Sequence, residues 1–146
     1  MSAAFRAELG EPTSGLTERA VRRDGFGLRP EFNILIGVCD GEIAGYTLYF
    51  DVYEPNYSER GLYLADLYVR PEHRNRGLGR ALLACVAAEG RRRKRSFVWW
   101  VALADNVAAQ AFYERLGAAA IPVVAHAAFG PFFDTLAASA PPIRRR

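Results

Sequence analysis

Arginines and glycines are concentrated in the segment VRPEHRNRGLGRALLA, directly before an apolar stretch with helical spacing. Arg74, Gly77 and Gly79 give the spacing R-x-x-G-x-G at a point where a buried strand is predicted to turn into a helix. The first turn of a helix has backbone N–H groups without intrahelical partners, and the helix dipole adds partial positive charge there. Glycine lets the backbone approach an anion because it has no Cβ. The segment therefore predicts a site for an anion such as pyrophosphate, to which Arg76 and Arg80 would add charge.

Other phosphate loops and metal sites fit the sequence less well. No lysine followed by serine or threonine comes after the glycines, as a Walker loop requires, and the glycine spacing differs from a dinucleotide fingerprint. A glycine turn with solvated arginines is the alternative interpretation.

His73 and His126 have no cysteine or histidine partner at ligand spacing, so no metal site is expected.

The composition is that of one globular domain. The chain has 146 residues, of which 51% are hydrophobic and 24% charged, so we expect a single domain spanning residues 1–146. The net charge is +3, and arginines cluster in residues 70–80, 91–95 and 144–146, which suits an anionic ligand. The run RRRKR follows a predicted helix end, where positive charge is favourable, and contains no aromatic residue. Nucleic-acid binding is therefore not expected.

The sequence lacks the patterns typical of membrane and secreted proteins. It has no apolar run long enough to span a membrane and no signal-peptide pattern at its start, so no membrane partner is expected. Two cysteines, Cys39 and Cys85, are too few for a disulfide framework. We therefore expect a reduced, cytoplasmic location.

Apolar spacing and turn residues predict a mixed α/β fold with a strand–turn–helix–strand–helix core. The first half is expected to contain a helix over Thr17–Arg23 closed by Gly25, a β-hairpin around Asp40 and Gly41, a polar loop over Glu54–Gly61 and a strand over Leu62–Val69. The second half is expected to contain a helix over Leu78–Glu89 ended by Gly90, a strand over Ser96–Leu103, a helix capped by Asn106 and ended by Gly117, two strands around Gly130 and Pro131, and a disordered basic tail over residues 140–146.

The motifs LYLADLYVRPEHRNRGLGRALL and NVAAQAFYERLGA together resemble the GNAT acyltransferase superfamily, and within it the spermidine/spermine (diamine) N-acetyltransferase-like branch. The resemblance runs from about Leu16 to Ala118. It implies a central mixed, mostly antiparallel sheet that is flanked by helices and splayed at the central strands. Because Met1 falls near the end of the family's first helix, the first strand and part of that helix are expected to be missing. A homodimer is also implied.

The resemblance implies acetyl-CoA as co-substrate, with its pyrophosphate on the turn and its pantetheine arm beside the central strand as an added strand would lie. Tyr113 matches the family's general acid, which protonates the departing thiolate. The alternative role for Tyr113 is packing of an aromatic ring against the sheet. The implied coenzyme-binding residues are Leu67, Tyr68, Val69, Arg74, Asn75, Arg76, Gly77, Leu78, Gly79, Arg80, Asn106, Ala109 and Tyr113.

One departure from the family concerns the general base. The branch reads Leu-Glu-Asp in the central strand, where the glutamate helps to remove a proton from the attacking ammonium, and this sequence reads Leu64, Ala65, Asp66. A lysine-type amine is mostly protonated at neutral pH, and loss of one general base costs on the order of a hundredfold in rate. Asp66 is the nearest replacement as catalytic base, although strand alternation points it to the face opposite Ala65. A structural role in the buried strand is the alternative for Asp66.

The acceptor is expected to be a primary amine of a small molecule, such as a polyamine, a diamine or a lysine-like compound, attacking directly in a ternary complex. The residues expected on the substrate side are Glu8, Glu54, Tyr57, Ala65, Trp99 and Trp100. For Glu8, Glu54 and Tyr57 a solvated loop position is favoured over a substrate contact. For one of the two tryptophans simple burial is expected, because neighbours in a strand alternate faces. The alternative functions are a coenzyme-binding domain with weakened catalysis and an acetyltransferase acting on a macromolecular amine.

Overall fold

The computed structural model describes residues 1–142 and consists of one sheet with helices on both faces. In chain order the elements are α1 (Ser2–Glu8), α2 (Glu18–Ala20) continuing into a π-helical turn (Val21–Gly25), β1 (Asn33–Cys39), β2 (Glu42–Glu54), β3 (Glu59–Val69), a 3-10 turn (Pro71–His73), α3 (Leu78–Arg92), β4 (Phe97–Trp99), α4 (Val107–Arg115) and α5 (Gly130–Ala138).

The sheet is mixed and mostly antiparallel, as expected. Its four strands lie in the order β1-β2-β3-β4; the first three are antiparallel, and β4 runs parallel to β3. The predicted hairpin joins β1 to β2, and its turn residues Asp40 and Gly41 have φ angles of 52° and 81°. Both central residues of a type I′ turn need such positive φ angles, which explains the Asp-Gly pair.

The pairing of β3 with β4 is short, and this opens the sheet at its centre. Only Gly61–Tyr63 pair with Phe97–Trp99, whereas β3 continues to Val69. From Leu64 onward, no strand within residues 1–142 covers this edge of β3. The separation agrees with the expected splay of the central strands.

A β-bulge in β3 shifts the alternation of its side chains between the two faces of the sheet. Tyr49 pairs with Leu64 and Leu48 pairs with Asp66, so Ala65 opposes no residue of β2. An extra residue of this kind locally disrupts the ladder and changes the direction of the side chains that follow it.

Two hydrophobic clusters lie on the two faces of the sheet. Under α3, the buried residues are Tyr49, Leu62, Leu64 and Val86, and Leu67 packs against them. On the other face, Tyr46, Leu48 and Tyr68 pack against Met1 and Phe5 at the α1 end. Leu64 and Leu67 thus share one face although they are three residues apart, because Ala65 shifts the alternation.

Three predicted boundaries were wrong. Gly90 does not end α3, which continues to Arg92; it is buried, and a Cβ there would lie 3.3 Å from Leu62 Cδ1, so glycine allows close packing on β3. The predicted polar loop is only residues 55–58, because β2 and β3 extend their ladder to Glu54 and Glu59. The predicted strand over residues 96–103 is regular only at Phe97–Trp99.

The two strands predicted around Gly130 and Pro131 were also wrong. Residues 118–129 have no regular structure, and Gly130–Ala138 form α5 with Pro131 in its first turn. Proline is favoured there because its φ angle suits the helix and its missing N–H would have no partner. In the predicted tail, residues 140–142 form no helix or strand, and residues 143–146 lie outside the described residues.

Candidate active site

The R-x-x-G-x-G segment forms an exposed turn between β3 and α3. Asn75 and Gly77 have φ angles of 59° and 86°, and Gly77 is the residue that precedes the first turn of α3. Left-handed residues in a turn direct successive N–H groups toward one concavity, which is a common anion-binding arrangement. The turn is therefore shaped for an anion by its backbone.

The N–H groups of this turn are not used by the fold. No residue within 1–142 accepts a hydrogen bond from the N–H groups of Asn75 through Arg80. The first helical bond of α3 runs from the Ala81 N–H to the Gly77 carbonyl, at 3.0 Å. These consecutive unpaired donors, together with the positive end of the α3 dipole, make the turn an electrostatic site for an anion.

The side chain of Leu78 anchors the turn to the sheet. It lies over Gly37 and Gly45, where an added Cβ would come within 2.8 Å of Leu78 Cδ1 and 3.4 Å of Leu78 Cδ2, respectively. On the other side, a Cβ at Gly79 would lie 3.3 Å from Phe112 Cζ. The first turn of α3 is thus packed between the β1–β2 hairpin and α4.

The arginines of the turn differ in their partners. Arg74 donates from Nε to the Val69 carbonyl at 2.8 Å and from Nη2 to Glu8 Oε2 at 2.6 Å. Arg76 and Arg80 are exposed, and neither forms an ion pair with any described residue. Two guanidinium groups therefore remain free beside the unpaired N–H groups.

Helix α4 is fixed at both ends as predicted. The Asn106 side-chain oxygen accepts from the Ala109 N–H at 3.1 Å, and Gly117, with φ 79°, follows the helix end. The Gln110 side chain donates to the carbonyls of Leu103 and Ala104 at 3.0 and 2.8 Å. These bonds hold the segment after β4 against α4.

Tyr113 lies on α4 in a partly buried aromatic setting. Its ring centroid is 5.0 Å from that of Trp100 and 5.1 Å from that of Phe112. Burial raises the pKa of Tyr113 to about 12. The phenol is therefore protonated throughout the neutral range and has a proton to donate.

Asp66 lies on the α1 side of the sheet, and its side chain is only 1% exposed. It accepts hydrogen bonds from Arg6 Nη2 at 2.5 Å and from the Tyr46 hydroxyl at 2.8 Å. Burial, followed by the charge of Asp66, raises the pKa of Tyr46. Both carboxylate oxygens are engaged and the side chain is buried, and the expected role of Asp66 as catalytic base stays a prediction. Ala65 next to it is exposed.

The residues expected on the substrate side are dispersed. Glu8 lies on α1, where it accepts from Arg74 and from the Tyr68 hydroxyl at 3.3 Å. The turn over Asn75–Arg80 is called the anion turn below. Glu54 and Tyr57 lie at the opposite end of β3 from it, roughly 30 Å away at the usual rise per residue. Glu54 there accepts from the Asn56 N–H at 2.9 Å.

The two tryptophans differ in exposure, although neither is fully buried. Trp100 is partly buried and packs near Tyr113, whereas Trp99 in β4 is exposed at 36%. The structure therefore brings one tryptophan, Tyr113 and the start of α3 to the same region. It does not bring Glu54 and Tyr57 there.

Arg6 and Tyr46 are site residues that the sequence analysis missed. A buried aspartate needs hydrogen-bond donors or a counter-ion, so Asp66 in an apolar strand was a signal that such partners exist. Nothing in the sequence identified them, because Arg6 is 60 residues away along the chain and Tyr46 is 20.

Three of the five cations of the basic run RRRKR are paired with carboxylates of the fold. Arg92 and Arg93 donate to Glu89, and Arg95 donates to Asp51 at 2.6 Å. Across residues 1–142, no three His, Cys, Asp or Glu side chains are placed to hold a metal ion. No described helix has the length and apolar character needed to cross a membrane.

Comparison with known proteins gives a family match over most of the chain. The sequence model of the Acetyltransferase (GNAT) family matches residues 3–118. The thialysine N-epsilon-acetyltransferase of Bos taurus is 33% identical over 111 residues, covering 70% of this chain and 65% of the relative. The enzyme of the same name from Sus scrofa is 38% identical over 80 residues, covering 49% of this chain and 46% of the relative.

A plant relative and two solved structures extend the comparison. The L-ornithine N5-acetyltransferase NATA1 of Arabidopsis thaliana is 34% identical over 79 residues, covering 54% of this chain and 35% of the relative. The chain spans about half the length of the curated relatives it matches. An integron cassette protein from the mobile metagenome of V. cholerae has a TM-score of 0.78 at 20% identity, covering 94% of this chain and 87% of that one. A soil-metagenome aminoglycoside acetyltransferase has a TM-score of 0.70 at 16% identity, covering 86% and 82%. Both structures share the fold.

Proposed function

The chain belongs to the GNAT acetyltransferase family, and from that premise we propose that it is an acetyl-CoA-dependent N-acetyltransferase acting on a primary amine of a small molecule. The observation that carries the proposal is the exposed turn from Asn75 to Arg80, whose N–H groups have no acceptor within residues 1–142. Fixed donors of this kind bind a diphosphate without any rearrangement of the backbone.

The coenzyme site is built from the turn and the free edge of β3. The diphosphate would be held by the backbone of Asn75–Arg80 and by the free guanidinium groups of Arg76 and Arg80. Leu67–Val69, where the sheet has no neighbouring strand among the described residues, would hold the pantetheine arm. The coenzyme would supply an acetyl group activated as a thioester. Asn106 and Ala109, at the start of α4, would also contact the arm.

Tyr113 is the proton donor in this proposal. Its pKa of about 12 keeps the phenol protonated at neutral pH, so it can give a proton to the departing thiolate sulfur. Its packing near Trp100 and Phe112 limits the positions of the ring. The hydroxyl is therefore presented in a restricted orientation.

The acceptor is a primary amine of the lysine or diamine type, attacking directly in a ternary complex. Two named relatives act on thialysine and on L-ornithine, which both carry such an amine, and this supports the substrate class. Ala65 lies in the bulge of β3, where the family branch has a glutamate, so the amine loses its proton to water or to another carboxylate.

A second function has a specific observation in its favour. Ala65 cannot accept a proton, and both oxygens of Asp66 are engaged by Arg6 and Tyr46. A coenzyme-binding domain with weakened catalysis would have this arrangement, with an intact anion turn and no free base.

The proposal includes a homodimer in a reducing, cytoplasmic location. Residues 119–142 leave large apolar side chains exposed, including Val124, Phe129 and Phe132, and a second copy of the chain would cover them. Cys39 and Cys85 are free thiols. The oligomeric state is measured by sedimentation, and a monomer at micromolar concentration would contradict this part.

The central experiment has two measurements. Acetyl-CoA should raise the melting temperature, because a ligand that binds only the folded state stabilises it. Thiol release should then be observed with a panel of diamines, polyamines and lysine analogues. Stabilisation without thiol release would support the weakened domain, and no stabilisation would contradict both functions.

A further inference from the structure

An ion pair joins α1 to the anion turn. Glu8, the last residue of α1, places Oε2 at 2.6 Å from Arg74 Nη2, and its Oε1 accepts from the Tyr68 hydroxyl at 3.3 Å. The two side chains of the pair are 41% and 42% exposed. An ion pair this exposed contributes little to stability and is readily exchanged for another partner.

Arg74 has two further interactions that do not depend on Glu8. Its Nε donates to the Val69 carbonyl at 2.8 Å, and its guanidinium lies over the Tyr68 ring at 5.7 Å from the centroid. Because Val69 and Tyr68 belong to β3, these interactions keep the guanidinium at the turn when Glu8 is removed. Glu8 therefore adds a negative charge beside the anion site without being needed to position Arg74.

We infer that Glu8 is a competing anion that acts through Arg74: it pairs with the guanidinium in the free protein and is displaced by the diphosphate of the coenzyme. The two anions compete for one cation, so Glu8 lowers the affinity of the turn for its ligand. The inference rests on the proposed function, in which that ligand is acetyl-CoA.

Displacement of Glu8 has a consequence for α1. The helix has seven residues, too few to be stable in isolation, so it depends on its attachments to the sheet. Its long-range ion pairs are Glu8 with Arg74 and Arg6 with Asp66. Ligand binding at the turn removes the first pair, and α1 is then held by the Arg6–Asp66 pair and by the packing of Phe5 on Tyr68.

The test is a double-mutant cycle on coenzyme binding. Dissociation constants for CoA and for inorganic pyrophosphate are measured by calorimetry in the wild type, Glu8→Gln, Arg74→Gln and the double variant. Glu8→Gln should bind both ligands about fivefold more tightly, the size expected for one exposed ion pair. In the Arg74→Gln background the same change should have little effect, because Glu8 acts through that guanidinium.

Glu11→Gln is the matched control. Glu11 lies just beyond α1 and pairs with Arg6 at 2.9 Å, so its substitution removes a nearby carboxylate without touching Arg74. Unchanged or weaker binding in Glu8→Gln would overturn the inference. Equal tightening in Glu11→Gln, or in the Arg74→Gln background, would also overturn it, because the tighter binding would then come from the overall charge of the protein and not from the Glu8–Arg74 pair.

CoA binding without the Glu8→Gln effect overturns the inference alone. Pyrophosphate binding with the expected pattern but no CoA binding overturns the proposed function alone. Failure of both ligands to bind overturns both.

Discussion

The rings of Trp100 and Tyr113 lie 5.0 Å apart between centroids and are tilted by 46°. Trp100 directly follows β4, and Tyr113 is on α4, so this contact joins the short strand to the helix that carries the candidate acid. A tilted aromatic pair at this distance stabilises the arrangement beyond simple burial. The position of the phenol is thereby linked to the point where the sheet opens.

Replacement of Tyr113 by Phe should lower kcat by about a hundredfold or more and change the Kd of CoA by less than about threefold. The ring and its packing are preserved, and only the proton donor is lost. The measurements are steady-state thiol release and calorimetry. Tyr57→Phe, at the exposed far end of β3, is the control and should have no effect. A parallel loss of kcat and affinity would contradict the acid role.

The rate of thiol release should not fall near pH 10, where an ordinary tyrosine ionises and would no longer act as a proton donor. Burial raises the pKa of Tyr113 to about 12, so the protonated phenol persists about two pH units further. Folding stability should fall above pH 10, because the unfolded chain releases protons that the folded Tyr113 and Tyr46 retain. Thiol release and circular dichroism over pH 7–11 test this. An alkaline loss of activity near pH 10 with the fold intact, absent in Tyr113→Phe, would contradict it.

Replacement of Ala65 by Glu should raise the rate with a lysine-like amine at neutral pH by about tenfold to a hundredfold. Ala65 is exposed in the bulge of β3, so a longer side chain has room, and a carboxylate there would accept the proton of the ammonium. Ala65→Gln is the matched control, with similar size and no basic group. Equal rates in both variants would show that another group already acts as base.

Arg76→Gln and Arg80→Gln should each weaken CoA binding several-fold and reduce the dependence of the affinity on salt. Both guanidinium groups flank the turn without an ion-pair partner in residues 1–142, so their charge is available to the diphosphate. Arg91→Gln is the control, because Arg91 is an exposed arginine at the other end of α3. Equal weakening in all variants would indicate general charge attraction rather than a defined anion site.

Replacement of Thr47 by Val should stabilise the protein by about 1 kcal/mol, which corresponds to a melting temperature higher by about 3 °C. Thr47 is 0% exposed, and its hydroxyl has no hydrogen-bond partner among the described residues. Valine has the same shape and no unsatisfied polar group. Thr135→Val on α5 is the control and should not stabilise, because that hydroxyl donates to the Pro131 carbonyl at 2.9 Å. A lower melting temperature in Thr47→Val would contradict the interpretation.

The parts of the fold that the sequence predicted well are those decided by local chemistry. Asp40-Gly41 specifies a hairpin turn, Asn106 caps α4, and Gly77 permits the left-handed residue before α3. Each acts within a few neighbouring residues, so a short sequence pattern is sufficient to recognise it.

The parts that the sequence did not predict depend on contacts between distant residues. Ile121, Val123 and Val124 favour strands by their side chains, but the described chain has no strand beside them, and they remain irregular. Gly90 resembles a helix end, yet contact with Leu62 makes it a packing position. In the candidate site, the anion turn could be predicted from the spacing of Arg74, Gly77 and Gly79. The hydrogen bond from Arg6 to Asp66 could not, because it joins residues that only the folded structure brings together.

The unpaired Ala65 makes the middle of β3 tolerant of a change in length. If Ala65 were instead paired with β2, regular alternation would turn Asp66 toward the hydrophobic layer under α3 and Leu67 toward α1, since a shift by one position exchanges the two faces of a strand. Leu64 and Asp66 already oppose the consecutive residues Tyr49 and Leu48, so removal of Ala65 would leave both side chains on their present faces. Variants with a deletion at this position should therefore still accumulate as folded protein, and many substitutions of Ala65 should be accepted as well.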